Sequence, residues 1–184
     1  YLYLSIFSNS AIALVQVDIT RGNLDPLPIA VSPLYIEPGS KEIKQDGKII
    51  KNIGEKISKV IEMNFRRSGL FNPLKKDSFV QNPDIAHVKP RFEDWRLIKA
   101  QALITGKVLV KNKKLKVEFR LWDTIASKEM IALSFTTTPP NWRRVAHIIS
   151  DKVYERLTGE SGYFDTRIIY VAESGPKDRR IKKL

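Results

Sequence analysis

The chain has 184 residues, 42% of them hydrophobic, which is enough to bury the core of one ordinary domain or of one domain plus a fragment. It carries 32 Lys and Arg against 20 Asp and Glu, a formal net charge of +12. Such a charge permits binding to nucleic acid, anionic lipid or an acidic protein, although a scattered excess is more typical of a solvated surface. The absence of cysteine excludes thiol catalysis, cysteine-based zinc sites and disulfides.

The first thirteen residues, YLYLSIFSNSAIA, carry no charge. An apolar run is followed by Ser-Asn-Ser and then by Ala-Ile-Ala, the A-x-A pattern that precedes a signal-peptidase site. We therefore expect residues 1–13 to be a signal-peptide remnant, with cleavage between Ala13 and Leu14 and a mature protein outside the cytoplasm. The run is too short to span a membrane. An apolar core strand is the alternative. Because the chain starts at Tyr1 without Met, we also expect a piece of a longer protein.

The next residues alternate between two kinds of side chain. Val15, Val17 and Ile19 form an apolar face, and Leu14, Gln16, Asp18 and Thr20 form a mostly polar one. This alternation predicts an edge or surface strand. We call residues 14–22 the terminal segment, since Arg21 and Gly22 end the strand.

The first half of the remaining chain contains a strand and a long helix. Residues 27–36 are apolar and predict a buried strand, in which Pro33 indicates a bulge or an unpaired amide. A loop is predicted over residues 37–47. Apolar residues three and four apart then predict a helix over residues 49–67, with Gly69 in a left-handed cap.

The second half contains short elements and then a meander. Residues 70–75 are extended, residues 81–90 are a loop, and residues 92–101 are a short helix whose first turn carries two acids that favour the helix dipole. Three strands follow over residues 102–111, 115–123 and 128–137, and their short connections predict an antiparallel arrangement.

Asn141 caps a last helix, which runs to about Leu157, and a final strand is predicted over residues 166–172. The buried stripe of the last helix is predicted to be Trp142, Val145, Ala146, Ile149, Val153 and Leu157. The order of elements predicts an α/β fold, a mixed sheet with helices packed on it.

The sequence offers no catalytic or metal-binding pattern. The two histidines, His87 and His147, lie in a loop and on the last helix, without ligand spacing. No nucleophile motif and no phosphate-binding glycine motif is present. We therefore expect no enzyme, no cofactor and no metal. Arg120 and Trp122 share one strand face and are the best sign of nucleic-acid binding, which remains an alternative function.

Five segments carry a resemblance to a known family: LVQVDITRGNLDPLPIAVSPL, RRSGLFNPL, FEDWRLIKAQALITGKV, FRLWDT and WRRVAHIISDKVYERLTGESGYFDTRIIYVAESG. On these segments the chain resembles the amino-terminal part of the TolB family over essentially all of the mature chain. Two features depart from the family pattern. Asn64 stands where relatives often carry Asp, and the lysine-rich KEIKQDGKIIKNI raises the charge without touching a motif.

The resemblance implies a division into domains. Residues 14–162 would form the amino-terminal α/β domain, which in this family resembles the anticodon-binding domain of class II aminoacyl-tRNA synthetases. Residues 163–184 would form the link and the truncated start of a six-bladed β-propeller. The charged run KDRRIKKL would then begin a propeller strand and not a nucleic-acid-binding tail.

The resemblance also implies a function. It suggests a non-enzymatic, monomeric periplasmic component of the Tol-Pal system, which links inner-membrane TolA to outer-membrane Pal and supports outer-membrane integrity and constriction during division. Pal would bind mainly the propeller. TolA would bind the terminal segment, whose residues are Leu14, Val15, Gln16, Val17, Asp18, Ile19, Thr20, Arg21 and Gly22. This segment would act as a releasable strand. A permanently docked edge strand and a nucleic-acid-binding domain of the anticodon-binding type are the alternatives.

Overall fold

A computed structural model of the chain describes residues 25–45, 47–166, 171–176 and 178–183. Within these residues the chain forms ten strands and four α-helices. The strands are β1 Leu27–Val31, β2 Tyr35–Ile36, β3 Ile43–Gln45, β4 Lys48–Ile50, β5 Phe71–Pro73, β6 Ala102–Lys111, β7 Lys114–Asp123, β8 Lys128–Thr137, β9 Ala172–Ser174 and β10 Ile181–Lys183. The helices are α1 Ile53–Ser68, α2 Pro83–Ala86, α3 Phe92–Leu97 and α4 Trp142–Thr158.

The main sheet has the strand order β5-β1-β6-β7-β8, and β2 pairs with β6 beyond the end of β1. Strand β1 runs parallel to both β5 and β6, whereas β6, β7 and β8 form an antiparallel meander. The predicted mixed sheet and the predicted meander are therefore confirmed. Parallel pairing requires a connection that crosses the sheet, and α1 supplies it between β1 and β5.

The strand predicted over residues 27–36 is divided in two. Strand β1 ends at Val31 and β2 begins at Tyr35. Between them Pro33 has no N–H to donate, so the ladder is interrupted where the proline indicated. The neighbouring amides find other acceptors: Ser32 donates to the Ile104 carbonyl at 2.9 Å, and Leu34 donates to the Gly54 carbonyl at 3.4 Å.

Helix α1 begins at Ile53, four residues later than predicted, because residues 48–50 form β4 instead. Strand β4 pairs antiparallel with β3 inside the segment predicted as a loop. Gly47, with φ of 73°, lies in the turn, and Asn52, with φ of 53°, separates β4 from the helix. These left-handed positions break the helical path, so the apolar Ile49 and Ile50 belong to a hairpin.

Two shorter predictions also need correction. The loop predicted over residues 81–90 contains α2, which begins at Pro83. The helix predicted over residues 92–101 ends at Leu97, because Lys99 has φ of 62° and the Ala100 amide turns back to the Trp95 carbonyl. The chain can thereby enter β6 directly at Ala102.

The main core lies between one face of the sheet and the pair α1 and α4. All six residues predicted for the stripe of α4 are buried, and Gly159 ends the helix with φ of 80°. Asn141 occupies the N-cap position, but its side chain makes no capping bond and instead donates to Thr137 and Thr138. Helix α1 ends at Gly69 in the predicted left-handed cap.

A smaller cluster covers only part of the opposite face of the sheet. It consists of Ala30, Ala86, Trp95, Ala100 and Leu103. Trp95 is 1% exposed, and its indole N–H donates to Gln81 at 3.1 Å, so the one polar atom of the ring is satisfied. The short helices α2 and α3 hold this cluster at one side and leave the rest of the face open.

The residues after α4 dock on that helix. The amides of Phe164 and Asp165 donate to the Asp151 carboxylate at 2.6 Å and 3.0 Å, and Arg144 pairs with Asp165 at 3.1 Å. Most of the strand predicted over residues 166–172 lies outside the described residues. Strands β9 and β10 pair antiparallel beyond it. Within the described ranges, no helix is both long and apolar enough to cross a bilayer.

We predict that Gly54→Ala lowers the free energy of unfolding by at least about 2 kcal/mol. A Cβ at this position would lie 1.9 Å from the Leu34 carbonyl oxygen, so α1 would have to move away from the sheet. Thermal unfolding measures the effect. Lys56→Ala, an exposed change on the same helix, is the matched control and should stay within about 0.5 kcal/mol of the parent. Equal melting temperatures for the two variants would contradict the close approach.

Candidate functional site

The terminal segment and the predicted cleavage pair Ala13 and Leu14 lie outside the described residues. The described chain begins at Asp25, and Leu27 then starts β1 by donating its amide to the Leu70 carbonyl at 2.9 Å. Strand β1 is an interior strand with neighbours on both sides. A strand formed by the terminal segment would therefore have to join the sheet at an edge.

The two edges of the main sheet differ in what they offer. Strand β5 has three residues, and one of them is Pro73, which cannot donate a hydrogen bond. Strand β8 has ten residues, contains no proline, and is exposed along much of its length. A long open edge presents unpaired backbone groups to any further strand. Of these two edges of the main sheet, β8 is thus the better suited to strand addition.

The open face of the sheet holds a cavity of about 360 Å³. Its lining includes His87, Gly106, Lys107, Glu118, Arg120 and Ser134. The charged groups there are paired with one another or with their neighbours. Lys107 lies 2.6 Å from Glu37 and 3.5 Å from Glu118, and Arg120 lies 3.3 Å from Glu129.

These pairs hold the cavity groups in their charged forms. The hydrogen bond from Lys107 to Glu37 raises the pKa of the lysine above its usual range. The hydrogen bond from Lys116 lowers the pKa of Glu118 below its usual range. A general acid or base needs a pKa near the working pH. Both shifts instead move the pKa of the group further from neutral pH. The cavity therefore gives no support to acid–base catalysis.

The pair Arg120 and Trp122 is engaged within the protein. The Arg120 guanidinium lies 5.9 Å from the Trp122 ring centroid. The indole N–H of Trp122 donates to Thr105 at 2.9 Å, and Phe92 packs edge-on against the ring at 5.8 Å. A base-stacking platform needs a free ring face, and these contacts occupy the tryptophan. The pair thus covers the sheet and adds little to the nucleic-acid hypothesis.

The two histidines make separate internal contacts. His87 stacks on Tyr35 with ring centroids 4.7 Å apart, and its Nδ1 lies 3.0 Å from the Pro83 carbonyl. The Nδ1 of His147 lies 3.0 Å from the Asn64 amide nitrogen. Across the described parts of the chain, no group of three or more His, Cys, Asp and Glu is placed to hold a metal ion. The expected absence of a metal stays a prediction.

Asn64 has a role that the sequence pattern does not reveal. This buried amide joins the two long helices, because its Nδ2 also donates to Ser150 at 2.9 Å. Burial lowers the pKa of His147, so the ring is neutral at neutral pH and its Nδ1 can accept from Asn64. The departure from the family's aspartate was visible in the sequence. The contact of Asn64 with His147 was not visible, because the two residues are far apart in the chain.

A family model described as the TolB amino-terminal domain matches residues 15–130. The chain belongs to the TolB family. A relative named Tol-Pal system protein TolB, from Pelagibacter ubique strain HTCC1062, is 65% identical over the whole chain. The chain spans 41% of the length of that relative.

Solved structures show the same fold. TolB from Acinetobacter baumannii matches with a TM-score of 0.64 at 20% identity, over 86% of this chain and 35% of that protein. A hypothetical protein from Chlamydia trachomatis matches with a TM-score of 0.53 at 11% identity, over 74% of this chain and all of that protein. At these identities the likeness concerns the fold alone. It agrees with the predicted α/β class.

We predict that Asn64→Asp reverses the pH dependence that His147 contributes to stability. In the parent, the lowered pKa favours the neutral ring, so this stabilisation is complete above about pH 6.5 and is lost as the pH falls further. A carboxylate beside Nδ1 would favour the imidazolium and raise the pKa of His147. The melting temperature of the variant, relative to that of the parent, should therefore rise as the pH falls from about 8 to about 5.5.

The control is Asn64→Asp combined with His147→Gln, which removes the titrating ring. Its melting temperature relative to His147→Gln alone should change much less over the same pH range. Parallel pH profiles for the parent and for Asn64→Asp would contradict the assignment. Four other charged groups also affect the pKa of His147, and all four remain in every variant. They are Asp165, Asp151, Arg143 and Arg67.

Proposed function

We propose that this TolB-family chain is the amino-terminal part of a non-enzymatic component of the Tol-Pal cell-envelope system. The observation that carries the proposal is the 65% identity, along the whole chain, to a relative named Tol-Pal system protein TolB. The paired charges of the open cavity fit a binding protein better than an enzyme. The full protein would support outer-membrane integrity and constriction during division.

We place the protein in the periplasm as a monomer. The uncharged apolar run before Ala11-Ile12-Ala13 supports export by a cleaved signal peptide. Export is also compatible with a chain that has no cysteine to oxidise.

We predict that the exported protein starts at Leu14. Amino-terminal sequencing of the protein recovered from the periplasm measures the start directly. Replacing Ala13 with Arg, which signal peptidase does not accept, should leave the uncleaved form, and Ala13→Ser should still be cleaved. A mature start beyond Thr20 would contradict the cleavage site and would also remove the proposed partner-binding strand.

We propose that residues 14–162 form the amino-terminal domain and that residues 163–184 lead into a β-propeller. The hairpin of β9 and β10 supports this division, because propeller blades are built from short antiparallel strands. Two ion pairs link its strands, since Glu173 lies 2.7 Å from Arg180 and 3.3 Å from Lys182. The Asp151 contacts of Phe164 and Asp165 would hold the link against the domain.

We propose that the terminal segment binds TolA and that Pal binds mainly the propeller. A short alternating strand can dock on its own protein or add to a sheet of a partner, because main-chain hydrogen bonds supply much of the affinity in both states. The exposed edge of β8 is available for the docked state. The state that dominates would depend on the difference in affinity, which Pal could bias.

The connection is long enough for this docking. Strand β1 and the outer side of β8 are separated by about four strand spacings, or roughly 19 Å. Residues 20–26 can span roughly 23 Å when extended. Both β1 and β8 begin at the same end of the sheet, since β1 pairs with the start of β6 and Lys128 pairs with Asp123 at the end of β7.

The docked state would be only modestly stable. Burying each of Val15, Val17 and Ile19 contributes roughly 1.5–3 kcal/mol, and ordering each residue of the segment costs roughly 1–2 kcal/mol. Over the nine residues of the segment the ordering cost exceeds the burial gain, so docking also depends on main-chain hydrogen bonds along the edge of β8. A partner that offers a better sheet edge can therefore reverse the equilibrium. A permanently docked strand would require a larger apolar face than these three residues provide.

We predict that deleting residues 14–22 abolishes TolA binding while Pal binding and the fold persist. Val17→Asp should weaken TolA binding at least about 10-fold, because it places a charge on the apolar face. Gln16→Asp, which puts the same charge on the opposite face, should have little effect. A pull-down with purified TolA and with Pal measures the three variants, and thermal unfolding confirms their fold.

Hydrogen exchange then tests the docking edge. The β8 amides should exchange faster in the deletion variant than in the parent, whereas the β6 amides should not change. TolA binding that survives the deletion would refute the assignment of the segment. An unfolded deletion variant would show that the strand is a permanent part of the sheet.

A further inference from the structure

Two lysine-rich segments meet at one end of the main sheet, beside the start of α4. The Lys41 amide donates to the Val110 carbonyl, and the Val110 amide donates to the Ser40 hydroxyl, both at 2.8 Å. These bonds place the β3–β4 hairpin beside the β6–β7 turn. Trp142 donates to Gln45 at 3.2 Å and brings the start of α4 to the same hairpin.

The lysines of the hairpin and the turn form what we call the cationic end. Its members are Lys41, Lys44, Lys48, Lys111, Lys113 and Lys114. All six are exposed, and within the described residues none is in an ion pair. Part of the positive charge that is scattered along the sequence is thus concentrated in space.

Few carboxylates oppose this charge. Glu37 and Glu118 belong to the neighbouring sheet surface, where Lys107 and Lys116 neutralise them at 2.6 Å and 2.5 Å. In the segments that form the cationic end, the acids are Glu42 and Asp46, and Asp46 lies outside the described residues. Six lysines against two acids leave a strong positive field that reaches about a Debye length, ~8 Å, into solvent.

The residue types indicate which anion would fit. Lysine ammonium groups are mobile point charges that suit a fluid array of phosphates, whereas bidentate contacts to fixed carboxylates favour arginine. Bases of nucleic acids need exposed aromatic rings, and the one aromatic ring of these described segments, Trp142, is 5% exposed. Ile49 is 47% exposed on the same hairpin and can enter a headgroup layer.

We propose that the cationic end binds the surface of a bilayer that contains anionic phospholipid. The lysines contact the headgroup phosphates, and Ile49 inserts beside them. Such binding is peripheral and falls with salt, because each lysine near an anionic surface adds a similar electrostatic contribution. The opposite end of the sheet, where β1 and β8 begin, then points away from the lipid. The terminal segment would thus stay accessible to a protein partner.

The test is sedimentation of the purified protein with vesicles of phosphatidylglycerol and phosphatidylcholine, and with vesicles of phosphatidylcholine alone. The parent should bind only the anionic vesicles, and more weakly as salt rises. One variant changes Lys44, Lys48, Lys111 and Lys114 together to Gln. It should weaken binding about 600-fold, which assumes about five-fold for each lysine. Changing the same four residues to Arg should retain it.

The matched control removes the same charge elsewhere. Four exposed lysines outside the cationic end serve for this control: Lys75, Lys89, Lys99 and Lys128. Changing all four to Gln should weaken vesicle binding less than about five-fold. If the first quadruple variant does not fold, Lys44→Gln with Lys48→Gln replaces it, with an expected loss of about 25-fold. Circular dichroism and the melting temperature establish the fold of each variant.

Three results would overturn the proposal. The first is equal weakening by the two quadruple variants, which would show an effect of net charge alone. The second is a parent protein that does not bind anionic vesicles at low salt. The third is tight binding of a single-stranded RNA oligonucleotide at physiological salt that the cationic-end variant loses while vesicle binding persists. No arm of the assay uses TolA or Pal, so its outcome is separate from that of the proposed function.

Discussion

The backbone of β6 pairs with three strands at once. It runs parallel to β1 and β2 on one side and antiparallel to all of β7 on the other. Gly106 lies within this ladder, where a Cβ would come within 2.2 Å of the Glu118 carbonyl oxygen. The two faces of β6 also contribute to the two hydrophobic clusters. A slip of one residue in its register would exchange the faces and remove the support of both layers.

The same sheet separates two kinds of surface. On its open face the charges are paired, as Lys107 is with Glu37 and Glu118. The pairing keeps these groups in their charged forms. At the cationic end similar lysines have no such partners within the described chain. Identical side chains thus serve packing in one place and long-range attraction in another, because only the neighbouring carboxylates differ.

If the proposed contacts hold, these surfaces would give the protein several separate binding sites. The chain belongs to the TolB family, and at the open cavity the pKa values of Lys107 and Glu118 are both shifted away from neutral pH. A weakly docked terminal strand, a free β8 edge and a lysine-rich end would each engage a different partner. Because each contact is individually modest, the occupied state would be set by which partners are present.

Periodicity alone determined the long elements: β6, β7, β8, most of α1 and the stripe of α4. Their burial is imposed by side chains that are close in the sequence, so a local pattern records it. The quoted motifs likewise determined the family. The tertiary structure decided the hairpin β3–β4, the contact between Asn64 and His147, and the meeting of Lys41 with Val110. These depend on distances between residues that are far apart in the chain, or on backbone turns with left-handed φ, and no local pattern of hydrophobicity encodes either one.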